Sequence, residues 1–427
     1  LAIESVIGHE YFHNWSGNRV TLRDWFQLSL KEGLTVFRDQ EFTADLHSRA
    51  VKRIEDVRLL RARQFAEDAG ALAHPVRPAE YREINNFYTL TVYEKGAEIV
   101  RILHTLLGEA GFRAGLDRYF ADNDGRAATV EDFLAAFEAR SGRDLAHFAR
   151  WYAQAGTPVL RIEDDFDAAT GRYTLRIQQH TPPTPRQPET QPLLVPLRFA
   201  LHGEDGPLQA RVAQSDAPVE GDLILLADER HALVFEGIAT RPLPAFNQGF
   251  SAPVKLDYLY TPQQLGRLAR VEQDAFNRWE ALQRLATGVL LSRFEDLRDA
   301  EAALSAALGD LLADPAADPA FVAECLVLPD FDTLAEQVAA IDVDGLIAAR
   351  EDLLDRLAED HADALEARYH ALAEAAAGPL DGPSMAARSL RNACLAWLTR
   401  LDPHARLAEA QFAAAHVMTD RLGALRC

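Results

Sequence analysis

Five residues near the start of the chain carry the clearest chemistry: His9-Glu10-Tyr11-Phe12-His13. Two histidines at i and i+4 of a helix share one face, with Cβ atoms about 5–6 Å apart. At that spacing both imidazoles reach a single tetrahedral ion. Glu10 points partly off that face, so it can sit beside the attacking water instead of ligating the ion, as an H-E-x-x-H hydrolase requires. A catalytic zinc needs a third protein ligand and one open position. Glu32, 19 residues after His13 in Ser29-Leu30-Lys31-Glu32-Gly33-Leu34-Thr35, is the candidate. The spacing allows one helix, a turn and a second helix packed against the first. The set predicts one Zn2+ per chain, with His9, His13 and Glu32 as metal ligands and Glu10 as the catalytic base. Asp39, seven residues after Glu32, falls on about the same helix face and can accept the outer N–H of a zinc histidine. Asn14, Trp15 and Asn18 are read as packing and capping residues of the zinc helix. His47, His74, His104 and His147 have no partner at ligand spacing and are read as structural or surface histidines.

The elements that must position these residues fall into three regimes. Residues 1–156 are mostly helical, with apolar side chains at three- and four-residue spacing in Lys95–Leu103 and Asp132–Glu138. Thr129 followed by Asp132 resembles a capping box, and Gly156-Thr157-Pro158 reads as a stop. From 157 to 258 the period changes to two. Tyr173–Ile177, Leu193–Phe199 and Ala232–Phe235 are strand candidates, separated by turns such as Asp205-Gly206-Pro207 and by the run Thr181-Pro182-Pro183-Thr184-Pro185. About a hundred residues of such short strands predict a small β-sandwich with no cluster of ligand or nucleophile residues. From 259 to 427 the chain is helical again. Thr261-Pro262 reads as a cap followed by proline at the first helical position, and the Ala-rich helix pairs predict a superhelical array.

Composition narrows the partners. The 427 residues carry 44 Lys+Arg against 65 Asp+Glu, a formal net charge of −21. That excess repels phosphate backbones and anionic lipid, so neither nucleic acid nor a membrane surface is expected as a partner. No apolar stretch approaches the length of a membrane span. Cys325, Cys394 and Cys427 lack C-x-x-C spacing, which argues against a disulfide scaffold or a thiolate zinc site and for the reducing cytoplasm. The chain opens and closes on helical patterns without an initiator Met, and is read as a piece of a longer protein.

His9-Glu10-Tyr11-Phe12-His13-Asn14-Trp15 and Lys31-Glu32-Gly33, with 18 residues between His13 and Glu32, resemble the gluzincin aminopeptidases, most closely the bacterial aminopeptidase N family of zinc alanyl-aminopeptidases. The stretch Asn86–Ala97 resembles that family's Tyr-x-Lys-Gly segment. Trp151–Pro158 resembles the end of its catalytic domain, and Asp274–Ala281 the opening of its helical domain. The resemblance implies a multidomain α+β protein: a mainly helical, partial thermolysin-like zinc lobe, then the β-sandwich, then a truncated helical array. It further implies that Tyr93 hydrogen-bonds the developing oxyanion. Lys31 and Glu94, which flank these residues, are then candidates for lining the cleft. One departure stands out. The family's Gly-x-Met-Glu-Asn motif, which anchors the substrate α-amino group, is absent here, since the two methionines, Met385 and Met418, precede Ala386 and Thr419.

The expectation is therefore a monomeric zinc aminopeptidase that hydrolyses the N-terminal bond of peptides with a free N-terminus, with this chain alone a weak or dead catalyst. Other readings stay open from the letters: a non-catalytic scaffold that retains the fold, or zinc chemistry of another class such as endopeptidase or epoxide hydrolysis. Metal content separates the first from an enzyme, because a scaffold has no physical need for this residue set.

Overall fold

The structure, a computed structural model, describes residues 2–204, 206–402 and 404–427. Leu1 and Asp205, read above as part of a helix and a turn, lie outside the described residues. The chain divides into two compact units. One runs to Asp45 and resumes from Lys52 to Leu259; the other comprises Leu46–Val51 and Tyr260–Cys427.

In the first unit, the Ala2–Phe12 helix carries His9 and Glu10 but buries none of its residues. His13 lies just past its end, yet its N–H still bonds the carbonyl of His9 at 3.2 Å, so the two imidazoles keep helical spacing. The chain then does not turn directly into a second helix, as the simplest reading of the 18-residue gap between His13 and Glu32 supposes. Thr21–Leu22 pairs in parallel with Ala127–Ala128. Asp24 then caps a 3₁₀ helix, Trp25–Leu30, by accepting from the Phe26 N–H at 3.0 Å. Only then does the Glu32–Leu46 helix begin.

That helix meets the long Gly96–Asn123 helix backbone to backbone at Gly33 and Gly96, and through Arg101, which donates to Glu41 at 2.6 Å and to Gln40 at 2.8 Å. A Cβ on Gly33 would lie 2.8 Å from the carbonyl carbon and 2.9 Å from the Cα of Gly96, so a side chain at 33 would force the two helices apart. On and beside these two helices Leu30, Leu34, Phe37, Ile99, Val100, Ile102 and Leu103 are buried, and such apolar burial is the main stabilising term. The Thr129 capping box is present with Asp132, and helix Val130–Ser141 ends on Gly142 in the left-handed conformation.

The strand region forms two sheets. In one the order is Lys255–Asp257, Val159–Asp167, Arg172–His180, Arg230–Glu236, Arg211–Ser215. In the other it is Leu243–Phe246, Val195–Gly203, Leu223–Leu226, Val219–Glu220, with Gly206–Pro207 beside Val195–Gly203. Alternation follows the pleat: Tyr173, Leu175 and Ile177 are buried while Arg172 and Arg176 are exposed. Phe199 and Phe235, from opposite sheets, meet with ring centroids 5.8 Å apart. The helical part and the sandwich share one compact unit because charged groups are satisfied across the join. Arg53 holds Glu98 through two bonds of 2.7 Å and donates to the carbonyls of Gly249 and Phe250 at 3.0 Å.

The second unit is helical throughout its described 260–427 stretch, from Pro262–Val271 to Met418–Leu425. Thr261 caps the first helix with Pro262 next to it, and Asp274, Asp296, Asp318, Asp330, Asp342 and Asp381 each cap a later one. Part of the acidic excess thus answers helix N-terminal N–H groups and dipoles. Leu285, Leu304, Leu308, Leu357, Leu390 and Leu395 form its buried seam. No helix among the described residues is long and apolar enough to cross a membrane.

Candidate metal centre

Among the described residues, His9, His13 and Glu32 are brought together so that one ligand atom of each lies within 4.8 Å of the others. Both Nε2 atoms converge on the same oxygen, Glu32 Oε2, at 3.3 Å from His9 and 3.4 Å from His13. Around an ion with ligands at about 2.0–2.1 Å, a tetrahedron has edges of about 3.3–3.4 Å. The outer nitrogens are already committed. His9 Nδ1 is 2.9 Å from Asp39 Oδ2, and His13 Nδ1 is 2.9 Å from the Ser16 carbonyl. Each acceptor holds a proton on Nδ1, so that Nε2 is the nitrogen left to offer a lone pair to a metal, as metal-ligating histidines require. Asp39 is itself oriented by Ser5 Oγ, which donates to Oδ1 at 3.0 Å. Lys31 Nζ pairs with Glu32 Oε1, leaving Oε2 toward the histidines. The donor set fits a zinc ion, with the Glu32 side chain only 4% exposed.

Electrostatics agree with this geometry. Burial opposes protonation of His9, but hydrogen bonds to Asp39 and Glu32 outweigh it and raise the imidazole to about 9. Burial likewise opposes ionisation of Glu32, yet hydrogen bonds from His13, His9 and Lys31 hold its carboxyl well below the usual range. In the ligand-free protein the site is thus a fixed anion facing a proton that a cation would displace.

Glu10 is exposed on the helix bearing His9. Tyr93 is half-buried near the Glu32 and Glu10 carboxylates; burial, then the nearby Glu32 carboxylate, push its phenol up. It lies in a π-turn, Thr91–Lys95, immediately before the long helix. Tyr88 stands beside it, ring centroids 6.4 Å apart. Glu94, on that turn, instead hydrogen-bonds Gln40 at 3.4 Å. Burial, with the charges of Asp56, Asp39 and Glu98, raises its carboxyl to about 7, and Lys52 offsets this only in part.

Sequence reasoning missed several contributors. Ser5 precedes His9 by one helical turn, and that i, i+4 relation is the signal that marks it. Ser16 acts through its backbone carbonyl, for which no side-chain signal exists. Thr35, one turn beyond Lys31, puts its hydroxyl 3.4 Å from His13 Nδ1. His74 and His147 bond to the carbonyls of Pro75 and Pro192, and His104 packs on Phe37 and Phe112.

Comparison with known proteins then places the chain. Residues 1–152 match the peptidase family M1 domain. Residues 156–259 match a domain of unknown function with an Ig-like fold (DUF3458), and residues 262–427 match its C-terminal companion of ARM repeats (DUF3458_C). The chain is 48% identical to aminopeptidase N of Escherichia coli (strain K12) over 435 residues, which cover 100% of this chain and 49% of that protein. It is 45% identical to aminopeptidase N of Haemophilus influenzae over 430 residues, 100% of this chain and 49% of the other. Against aminopeptidase N of Caulobacter vibrioides it is 47% identical, covering 99% and 48%. A crystal structure of Legionella pneumophila aminopeptidase A in complex with aspartic acid superposes with a TM-score of 0.82 at 28% identity, covering 99% of this chain and 48% of that one. The chain spans about half the length of the curated relatives it matches. With the H-E-x-x-H residues, a peptidase family M1 domain match over residues 1–152 and identities of 45–48% over 99–100% of its length, the chain is a homologue of the bacterial aminopeptidases N.

Proposed function

We propose that the protein is a zinc aminopeptidase that hydrolyses the N-terminal peptide bond of peptides with a free N-terminus. The observation that carries this reading is the convergence of His9 Nε2 and His13 Nε2 on Glu32 Oε2 at 3.3 and 3.4 Å. These three residues would hold the Zn2+, which when bound supplies Lewis-acid polarisation of the scissile carbonyl and acidifies a water. Glu10 takes the proton of the attacking water and returns it to the leaving amine. Tyr93 donates its phenolic O–H to the carbonyl oxygen as negative charge develops there; its raised pKa keeps it a donor at neutral pH. Asp39 and Ser16 keep the histidine rings in register. The shared name of the relatives supports removal of N-terminal residues over internal cleavage. We further propose a division at 1–156, 157–258 and 259–427 into zinc lobe, sandwich and helical array. The three free cysteines support a reducing, cytoplasmic setting, and the protein is read as a monomer.

The test is Glu10→Gln in the full-length protein, assayed on a fluorogenic aminoacyl amide. Zinc stays near one per chain while kcat falls by about 10²–10⁴. Retained turnover removes Glu10 from the mechanism. Failure of the wild-type protein to hold zinc favours the scaffold reading.

A further inference from the structure

We infer that Thr91, Glu67, Lys95 and Asp68 are positioning residues for Tyr93: together they clasp the π-turn whose register aims the phenol at the metal centre. The inference rests on Tyr93 being the oxyanion donor. A π-turn holds one more residue than the α-helical turn it replaces, so the residues before it are rotated by about 100° relative to the helix that follows. Here that helix is anchored, because Gly96 lies backbone to backbone against Gly33. Were Thr91–Lys95 to relax into α register, Tyr93 would swing away from Glu32. Gly96 N–H instead reaches back five residues to the Thr91 carbonyl, closing the wide turn. Since π geometry is rare and usually confined to single turns at functional sites, something must hold it.

Both ends of the turn are gripped from one short element, Phe65–Ala69. At the first end, Thr91 N–H donates to Glu67 Oε1 at 2.8 Å. The Thr91 hydroxyl donates to the same oxygen and accepts from Gln64 Nε2 at 3.2 Å. At the other end, Lys95 Nζ donates to Asp68 Oδ2 at 2.7 Å and to the Gly156 carbonyl at 2.9 Å. Asp68 also accepts from Thr157 Oγ1 at 2.9 Å and from Gly156 N–H at 3.3 Å. The Lys95 and Asp68 side chains are each 1% exposed. Gln64 closes a second π-turn, Leu60–Gln64, that leads into the gripping element. These bonds run among the four residues, Gln64 and the Gly156–Thr157 corner, and none of them reaches His9, His13 or Glu32. A buried ion pair is a poor source of net stability; here its position fits a device that selects one backbone register.

The experiment is a double-mutant cycle in the full-length protein. Thr91→Val keeps shape while removing the hydroxyl, and Lys95→Met combined with Asp68→Asn opens the other end without stranding a charge. Each is made alone and with Tyr93→Phe. Tyr93→Phe lowers kcat by about 10²–10³. Thr91→Val lowers kcat by about 10- to 100-fold, with KM and zinc content unchanged, and speeds amide exchange of residues 91–96 in both metal-loaded and metal-free protein. In the Tyr93→Phe background it costs kcat nothing further. An unchanged kcat in folded Thr91→Val, or an equal loss in the Tyr93→Phe background, overturns the positioning role while leaving Tyr93 as donor. An unchanged kcat in Tyr93→Phe itself removes the donor, and the clasp's role with it. If the Lys95→Met/Asp68→Asn variant does not fold, the Thr91→Val cycle decides.

Discussion

Replacing Asp39 with Ala tests whether the metal site depends on a residue that never touches the ion. In the structure Asp39 Oδ2 sits 2.9 Å from His9 Nδ1, and Oδ1 is tied to Ser5 Oγ at 3.0 Å. Removing the carboxylate frees the imidazole to move its proton to Nε2, where it would hydrogen-bond Glu32 and lose its ligand lone pair. A charge-assisted hydrogen bond at an Asp39 side chain 11% exposed contributes about 1.5–3 kcal/mol. Loss of an outer partner of a metal histidine costs about 10- to 100-fold in affinity, or roughly 1.4–2.7 kcal/mol. The two ranges overlap, so Asp39→Ala should weaken zinc binding by one to two orders of magnitude. The assay is competition for zinc between apoprotein and a chromogenic chelator at fixed pH. Ser5→Ala, which removes one neutral hydrogen bond to the same carboxylate, serves as a graded control with a loss of less than about tenfold. A zinc affinity within twofold of wild type in a folded Asp39→Ala protein would refute the reasoning, because His9 would then need no orienting partner.

Three further predictions follow from the same geometry. Zinc uptake should release about one proton per chain near pH 7–8, because His9, held up to about 9, must give up its proton to bind metal. His9 thus stabilises the metal-free protein below its ordinary 6.5 and loses that contribution as pH rises through about 9, opposite to the trend for zinc affinity. Calorimetry in two buffers of different ionisation enthalpy measures the proton count, and a count of zero rejects the assignment. Glu94, raised to about 7, stabilises the fold when protonated, so stability should fall by up to about 3 kcal/mol as pH rises from about 4.5 to 7. Glu94→Gln should flatten that slope in urea titrations, and parallel wild-type and variant profiles would count against it. Gly33→Ala should cost about 1–3 kcal/mol by driving a methyl into Gly96, where an unobstructed helical Gly→Ala change stabilises by up to about 1 kcal/mol; a urea midpoint at or above wild type would show that the helices separate freely.

Local pattern made much of this protein readable from its letters. His9 and His13 share a face because helical spacing is a backbone property, preserved here even though the helix closes at Phe12. The alternation in Tyr173–Ile177 follows the pleat, and the caps at Thr129 and Thr261 follow from which side chains can answer free N–H groups. Glu32 was legible as a carboxylate at a workable distance along the chain. The path that delivers it was not, since a short parallel strand pair and a 3₁₀ helix intervene. Tyr93 entered only by resemblance, because five residues cannot distinguish a π-turn from an α-turn by periodicity. Glu94 lies beside it in sequence yet joins Gln40 and the buried acids, since the turn sends consecutive side chains in different directions. The amino-acid order therefore determined which residues can ligate, cap and pack, for those are properties of side chains and of i, i+4 neighbours. Tertiary structure alone decided that Glu32 meets both histidines, that Asp39 meets His9 and that Tyr93 comes near Glu32, because their approach depends on a backbone contact between Gly33 and Gly96, 63 positions apart.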